Sequence, residues 1–164
     1  RAALLAGCPA ESLQSSLESF VNESHRIEVV GEYDGVKYIN DSKATNVDAV
    51  YYALGAMKTP VIWIVGGQDK GNDYGPIMDL VKNKVKAIIC LGLDNKKLID
   101  AFSTEVYFLS ETTTMREAVR RAASHASFGD TVLLSPACAS FDLFRDYKDR
   151  GDQFKNEVNA LSHV

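Results

Sequence analysis

Pro60-Val61-Ile62-Trp63-Ile64-Val65 is apolar from end to end and stops at Gly66-Gly67. The run is too short for a typical helix and rich in β-branched side chains, so it reads as a strand. A strand without a polar face has to be covered on both sides. Ala87 to Leu91 and Thr131 to Leu134 repeat the pattern, and Val106 to Leu109 is a further strand candidate. Between these runs the apolar residues take helical spacing. Asn46 to Met57 carries Val47, Val50, Leu54 and Met57 on one side. Ile77 to Val81, Leu98 to Phe102 and Met115 to Ala126 also read as helix, as does Phe141 to Leu161 with an interruption expected near Gly151. Apolar strands alternating with helices predict an α/β fold, a mostly parallel sheet covered by helices on both faces. Ahead of it, Ile27 to Tyr33 and Val36 to Asn40 flank Asp34-Gly35, the signature of an N-terminal β-hairpin.

Residues 1–24 read differently. Ala2 to Ala6 and Glu11 to Val21 have helical character, broken at Gly7-Cys8-Pro9, and Leu13, Leu17, Phe20 and Val21 recur at helical spacing. The chain starts at Arg1 without an initiator Met, as a piece cut from a longer protein would. Its 164 residues are enough for one compact domain with a core. A net charge of −4 argues against a general nucleic-acid or anionic-membrane surface. No apolar run approaches the roughly 20 residues that span a bilayer. Cys8, Cys90 and Cys138 are odd in number and widely spaced, which fits neither a disulfide framework nor a zinc pattern and points to a reducing cytoplasm. His25, His125 and His163 are scattered and propose no metal site.

In parallel sheets, ligands bind beyond the carboxyl ends of the strands. Three polar or glycine-rich turns follow strands directly: Asp41-Ser42-Lys43-Ala44-Thr45-Asn46, Gly66-Gly67-Gln68-Asp69-Lys70, and Ser135-Pro136-Ala137-Cys138-Ala139-Ser140. The topology should gather them along one edge as a single site. Lys43 and Lys70 bring two cations to that rim, suited to carboxylate or phosphate groups. Simpler roles stand beside these. Thr45, Asn46 or Ser140 can cap a helix, Gly66-Gly67 can be a plain tight turn, and lysines are most often solvated. The glycines match neither the dinucleotide fingerprint nor the G-x-x-x-x-G-K-[ST] phosphate loop. Gln68 and Asp69 carry no weight in this reading. Cys138 has no His placed to activate it and reads as packing.

Taken with His25-Arg26 before them and Asp142, Tyr147, Arg150-Gly151 and Phe154 after, these turns resemble the C-terminal domain of the Mur ligase family from about Arg26 to Leu161. The D-S-K-A-T-N turn is closest to the D-glutamate-adding branch. The resemblance implies a Rossmann-like domain over residues 25–164, with residues 1–24 closing a preceding central ATP-binding domain. It implies an ATP-dependent amide synthesis in the cytoplasm, with Mg2+ supporting phosphoryl transfer. D-glutamate would be joined to UDP-N-acetylmuramoyl-L-alanine through an acyl phosphate, as a step of peptidoglycan synthesis that serves cell shape and division. By the same resemblance Thr45 and Lys70 hold the α-carboxylate of D-glutamate, and Ser140 with the backbone N–H of Tyr147 holds its side-chain carboxylate. Tyr147 stands where the family usually has Phe, a harmless change for a backbone contact. Lys43 would lie beside the reacting groups as the catalytic residue, and Arg26 and Asp41 would reach ATP across the domain interface. The chain lacks the phosphate loop, so it is expected to bind no ATP or Mg2+ alone and to have no turnover alone. A monomer is expected, without nucleic-acid or membrane partners. Two other readings remain: a related Mur or folylpolyglutamate-type domain for another amino acid, and a stand-alone nucleotide-binding α/β module.

Overall fold

The computed structural model describes residues 23–161, together with Gly7, Pro9 and Ser12. The helices expected within Ala2 to Ala6 and Glu11 to Val21 lie outside the described residues, Ser12 excepted. Six strands form one sheet in the order β1-β2-β6-β3-β4-β5. β1 (Glu28–Tyr33) and β2 (Val36–Asn40) are the antiparallel hairpin. Asp34 and Gly35 both take positive φ, 52° and 71°, as a two-residue hairpin turn requires. β2, β6 (Thr131–Ala137), β3 (Val61–Gly66), β4 (Val85–Leu91) and β5 (Phe108–Thr112) then run parallel.

The sheet is buried on both faces, as its apolar strands demand. Val61, Trp63 and Val65 of β3 point into one layer, beneath α1 (Val47–Ala56), α2 (Met78–Lys84) and α3 (Lys96–Phe102). Ile62 and Ile64 point into the other, beneath α4 (Met115–His125) and α5 (Tyr147–Ala160). Each such side chain contributes about 1.5–3 kcal/mol by leaving water. Trp63 is fully buried, and its indole N–H donates to the Ser135 carbonyl at 2.7 Å, so its polar end is satisfied too. The side chain of Asn46 accepts the Ala49 N–H at 2.8 Å and starts α1; Thr114 does the same for α4 with Glu117.

Three elements differ from expectation. The strand expected at Thr131 to Leu134 runs on to Ala137, so the third turn begins only at Cys138. The strand placed at Val106 to Leu109 is shifted, to Phe108–Thr112. An edge strand takes its register from its neighbour, and Ala87 to Leu91 pair with Phe108 to Thr112, which leaves Tyr107 fully in solvent. The last helix begins only at Tyr147, where Asp146 accepts the N–H groups of Lys148 and Asp149, both at 2.8 Å. It then runs through Gly151 without interruption. Glycine serves there as a notch: a Cβ at Gly151 would collide with the ring of His25.

Candidate functional site

β2, β6 and β3 are neighbours in the sheet, so the three turns that follow them lie side by side at one end. Hydrogen bonds join them directly. Asp41 N–H donates to Leu134 O of β6 at 2.8 Å. Gln68 and Ala139 form a two-way backbone bridge, with Gln68 N–H to Ala139 O at 2.8 Å and Ala139 N–H to Gln68 O at 3.3 Å. That approach needs the glycines. Gly66 and Gly67 have φ of 129° and 125°. A Cβ on Gly66 would lie 2.6 Å from Leu91 O, and one on Gly67 would collide with Ala139 O. Ala137 takes φ of 59° where β6 ends, an uncommon conformation for a residue with a side chain.

One cation ties all three turns. Arg150, on α5, is 1% exposed. Its Nε donates to Ser42 Oγ at 3.0 Å and its Nη2 to Ser42 O at 2.9 Å. Its Nη1 donates to Cys138 O at 3.1 Å and, more weakly, to Gly66 O at 3.5 Å. Burial pulls its pKa down to about 10, opposed by Cys138 and Asp142, so it stays charged at neutral pH. Ser42 Oγ in turn donates to Tyr147 O at 2.7 Å, fastening the first turn of α5 to the first loop. Sequence reasoning gave Arg150 and Ser42 no role. Their signal is weak, because a buried Arg is recognised by partners that the chain supplies from far away.

Asp41 is 4% exposed and bonded within the domain. Its Oδ2 accepts from Ser135 Oγ at 2.8 Å and its Oδ1 from Ile27 N–H at 3.2 Å. Burial pushes its pKa up to about 6, against the pull of these two bonds and of Arg26. Arg26, Asp41 and Lys43 nevertheless line one cavity of about 310 Å³, closed on its other side by Tyr52 and Ala49. Arg26 and Thr45 are exposed. Lys43 Nζ pairs with the exposed Glu23 and stands 5.9 Å from the centre of the Tyr147 ring. The structure thus brings Arg26, Asp41, Lys43 and Tyr147 into one neighbourhood.

Behind them, His25 is buried against Asn40, whose Nδ2 lies 3.0 Å from His25 Nδ1 and 3.1 Å from Glu28 Oε2. His25 O accepts Lys43 N–H at 3.0 Å, which fixes the Lys43 backbone. Burial holds the His25 pKa below its usual value, with help from Lys155. Ser140 is 2% exposed, and its carbonyl accepts from Leu143 and Phe144 N–H groups, at 3.3 and 2.9 Å, in the turn before α5. Tyr147 opens α5, so its N–H has no partner in the helix ladder. Lys70 is exposed on the second turn. Burial raises the Cys138 thiol pKa, which makes it a poor nucleophile and fits packing.

A family model described as "Mur ligase, glutamate ligase domain" matches residues 25–138. The chain is 55% identical over 161 residues to UDP-N-acetylmuramoylalanine–D-glutamate ligase of Cytophaga hutchinsonii, covering 98% of this chain and 36% of that one. It therefore spans about a third of the length of such curated relatives. Among solved structures, MurF ligase of Thermotoga maritima in complex with ADP superposes with a TM-score of 0.55 at 14% identity, over 96% of this chain and 38% of that one. The bifunctional folylpolyglutamate synthase/dihydrofolate synthase of Yersinia pestis does so with 0.59 at 18%, over 95% and 35%. At such identities the likeness is one of fold alone. With the family model matched from the hairpin to Cys138, within the third turn, the chain belongs to the Mur ligase family, in its glutamate ligase domain.

Proposed function

We propose that this chain is the amino-acid-binding domain of an ATP-dependent ligase that joins D-glutamate to UDP-N-acetylmuramoyl-L-alanine. The observation that carries the reading is the rim itself. Three turns after adjacent parallel strands, clasped by buried Arg150, carry Lys43, Thr45, Lys70 and Ser140, with Tyr147 at the start of α5, in a chain 55% identical to a D-glutamate ligase. Residues 25–164 form the binding domain in this reading, and residues 1–24 belong to the end of a central ATP-binding domain.

D-glutamate offers two carboxylates and one amine. Lys70 and Thr45 supply a cation and a hydroxyl for the α-carboxylate. Ser140 and the free N–H at Tyr147 take the side-chain carboxylate. Holding both ends fixes the amine, which attacks an acyl phosphate formed on the muramoyl-alanine carboxylate with ATP as phosphoryl donor. A tetrahedral intermediate forms and phosphate leaves. Positioning of this kind turns a bimolecular step into one within a complex and supplies much of the acceleration. Lys43 places positive charge beside the phosphate as it departs. Arg26 suits a phosphate, and Asp41 has lone pairs left for ribose hydroxyls. In this reading Mg2+ is held by the rest of the ligase together with the ATP phosphates. No helix among the described residues is long and apolar enough to cross a membrane. The reading has the full enzyme working as a cytoplasmic monomer.

The full-length ligase, given ATP, Mg2+ and UDP-N-acetylmuramoyl-L-alanine, is expected to release phosphate with D-glutamate and not with L-glutamate, L-lysine or diaminopimelate. Turnover with one of the other amino acids in place of D-glutamate overturns the substrate assignment. The present chain alone is expected to release none, and sustained D-glutamate-dependent ADP release from it refutes its role as a partial machine.

A further inference from the structure

Lys70 sits in a loop that carries two glycines before it and one after, yet the loop is pinned at both ends. Its start is zipped to the third turn by the Gln68–Ala139 bridge. Its end is anchored by Tyr74, which is 4% exposed and packs edge-on against Phe102 with ring centres 5.3 Å apart. Between these anchors stands Gly71, at φ +92° with no heavy atom within 4 Å of the place a Cβ would take. At Gly71, then, no packing holds the loop; hydrogen bonds to one carboxylate do. Asp69 Oδ1 accepts Gly71 N–H at 2.6 Å and Asn72 N–H at 2.9 Å. Its Oδ2 accepts the Tyr74 hydroxyl at 2.8 Å. Asn72, so placed, donates to Ala137 O at 3.1 Å and joins the loop to the end of β6.

We propose that Asp69 is a positioning residue for Lys70, closing the loop into a fixed turn that holds the lysine at the rim. The inference rests on the reading that Lys70 binds the α-carboxylate of the amino acid. Asp69 is the residue next to Lys70, and a free carboxylate there would compete with the substrate for its ammonium. Instead both oxygens of Asp69 are engaged, and Lys97 of α3 adds a second cation 3.5 Å from Oδ1. Partial burial raises the Asp69 pKa, but the bonds from Asn72, Tyr74 and Gly71 and the charge of Lys97 outweigh it and leave the pKa lowered. The latch therefore stays ionised across the neutral range. Its charge is used inward, and that of Lys70 is left for the ligand.

The test uses the full-length ligase and four variants: Asp69→Ala, Tyr74→Phe, Lys70→Ala and the double variant Asp69→Ala/Lys70→Ala. Asp69→Ala is expected to raise the KM for D-glutamate about tenfold, with kcat and the other two KM values within about twofold of the parent. Tyr74→Phe, which removes one of the bonds to the latch, is expected to raise the same KM about threefold. Because Asp69 acts through Lys70, its loss should add less than about twofold once Lys70 is alanine. An unchanged KM in Asp69→Ala beside a raised one in Lys70→Ala overturns the latch and leaves the site reading intact. The same holds if the Asp69 effect persists in full without Lys70, or if all three KM values and kcat worsen together. An unchanged KM in Lys70→Ala removes the site reading and the latch with it. Should Asp69→Ala fail to fold, Asp69→Asn, which keeps one acceptor oxygen, and Tyr74→Phe carry the same comparison.

Discussion

Lysines gather at both ends of this sheet and do different work at each. At the amino end, Lys58, Lys82, Lys84 and Lys86 line a groove of about 440 Å³. Lys84 donates to the carbonyls of Leu54, Gly55 and Met57 at 2.9, 2.9 and 2.7 Å, closing the end of α1. Lys82 pairs with Glu105 at 3.3 Å and Lys86 with Asp130 at 2.6 Å. At the carboxyl end, the cavity beside Arg26, Asp41 and Lys43 is smaller, about 310 Å³. Lys70 forms no ion pair among the described residues, and Lys43 pairs with the exposed Glu23 and stands over the Tyr147 ring. Three of the four amino-end lysines already have partners inside the fold. Of the two rim lysines, Lys70 is still open to a ligand. The two ends differ less in the number of cations or the size of the groove than in the share of those cations that the chain has already engaged.

The sharpest way to break this comparison is to remove the residue that builds the rim. Arg150→Ala strips three carbonyls and a hydroxyl of a buried donor and should cost about 3–4 kcal/mol, measured by urea unfolding. A loss below about 1 kcal/mol would show that the turns hold together without it. Next comes the uncommitted cation. Lys70→Ala should raise the KM for D-glutamate about 30-fold, a loss of about 2 kcal/mol, and move stability by less than about 0.5 kcal/mol. Equal losses in stability and binding would erase the distinction between the two ends.

Asp41→Asn tests the price of the site in stability. Asp41 titrates at about 6 when folded against an ordinary 3.8. Below pH 3.8 the carboxyl is protonated in both states. Between pH 3.8 and about 6 the unfolded chain gives up a proton that the folded chain keeps, so this group makes the fold less stable as pH rises, and the penalty persists above that window. The asparagine variant should therefore be more stable than the parent at pH 7, by on the order of 2 kcal/mol, while it weakens ATP use in the full enzyme. A variant no more stable than its parent, or one whose stability still falls between pH 4 and 6 as steeply, would sink the idea. The smallest effect belongs to the committed end. Lys84→Ala should lose about 1 kcal/mol in thermal or urea unfolding and leave the KM for D-glutamate unchanged.

What the sequence made legible was whatever local spacing decides. The apolar strands, the Asp34-Gly35 hairpin, the Asn46 cap and the placement of the first two turns after strands stand in the structure, while β6 runs on through the first half of the third turn. What it hid depends on partners distant in the chain. Asp41 reads as a surface acceptor until β6 brings Ser135 to it. Arg150 reads as one more charged helical residue until Ser42 and Cys138 close around it. Asp69 reads as a variable turn residue, because its partners Gly71, Asn72 and Tyr74 are near in sequence but only the folded turn aims them at one carboxylate. The start of β5 was misplaced for the same reason: Ala87 to Leu91 set its register, not its own composition.

The notch at Gly151 has a consequence for how relatives of this chain can diverge. The ring of His25 fills the space that any side chain at position 151 would need. Position 151 cannot gain a side chain while the His25 ring stays in place. A mutation that adds a methyl group to Gly151 has first to be preceded by a smaller residue at His25. That intermediate would already have lost the ring's contact to Asn40. The two positions are expected to be inherited as a pair, and a lineage that abandons one should be found to have rebuilt the other.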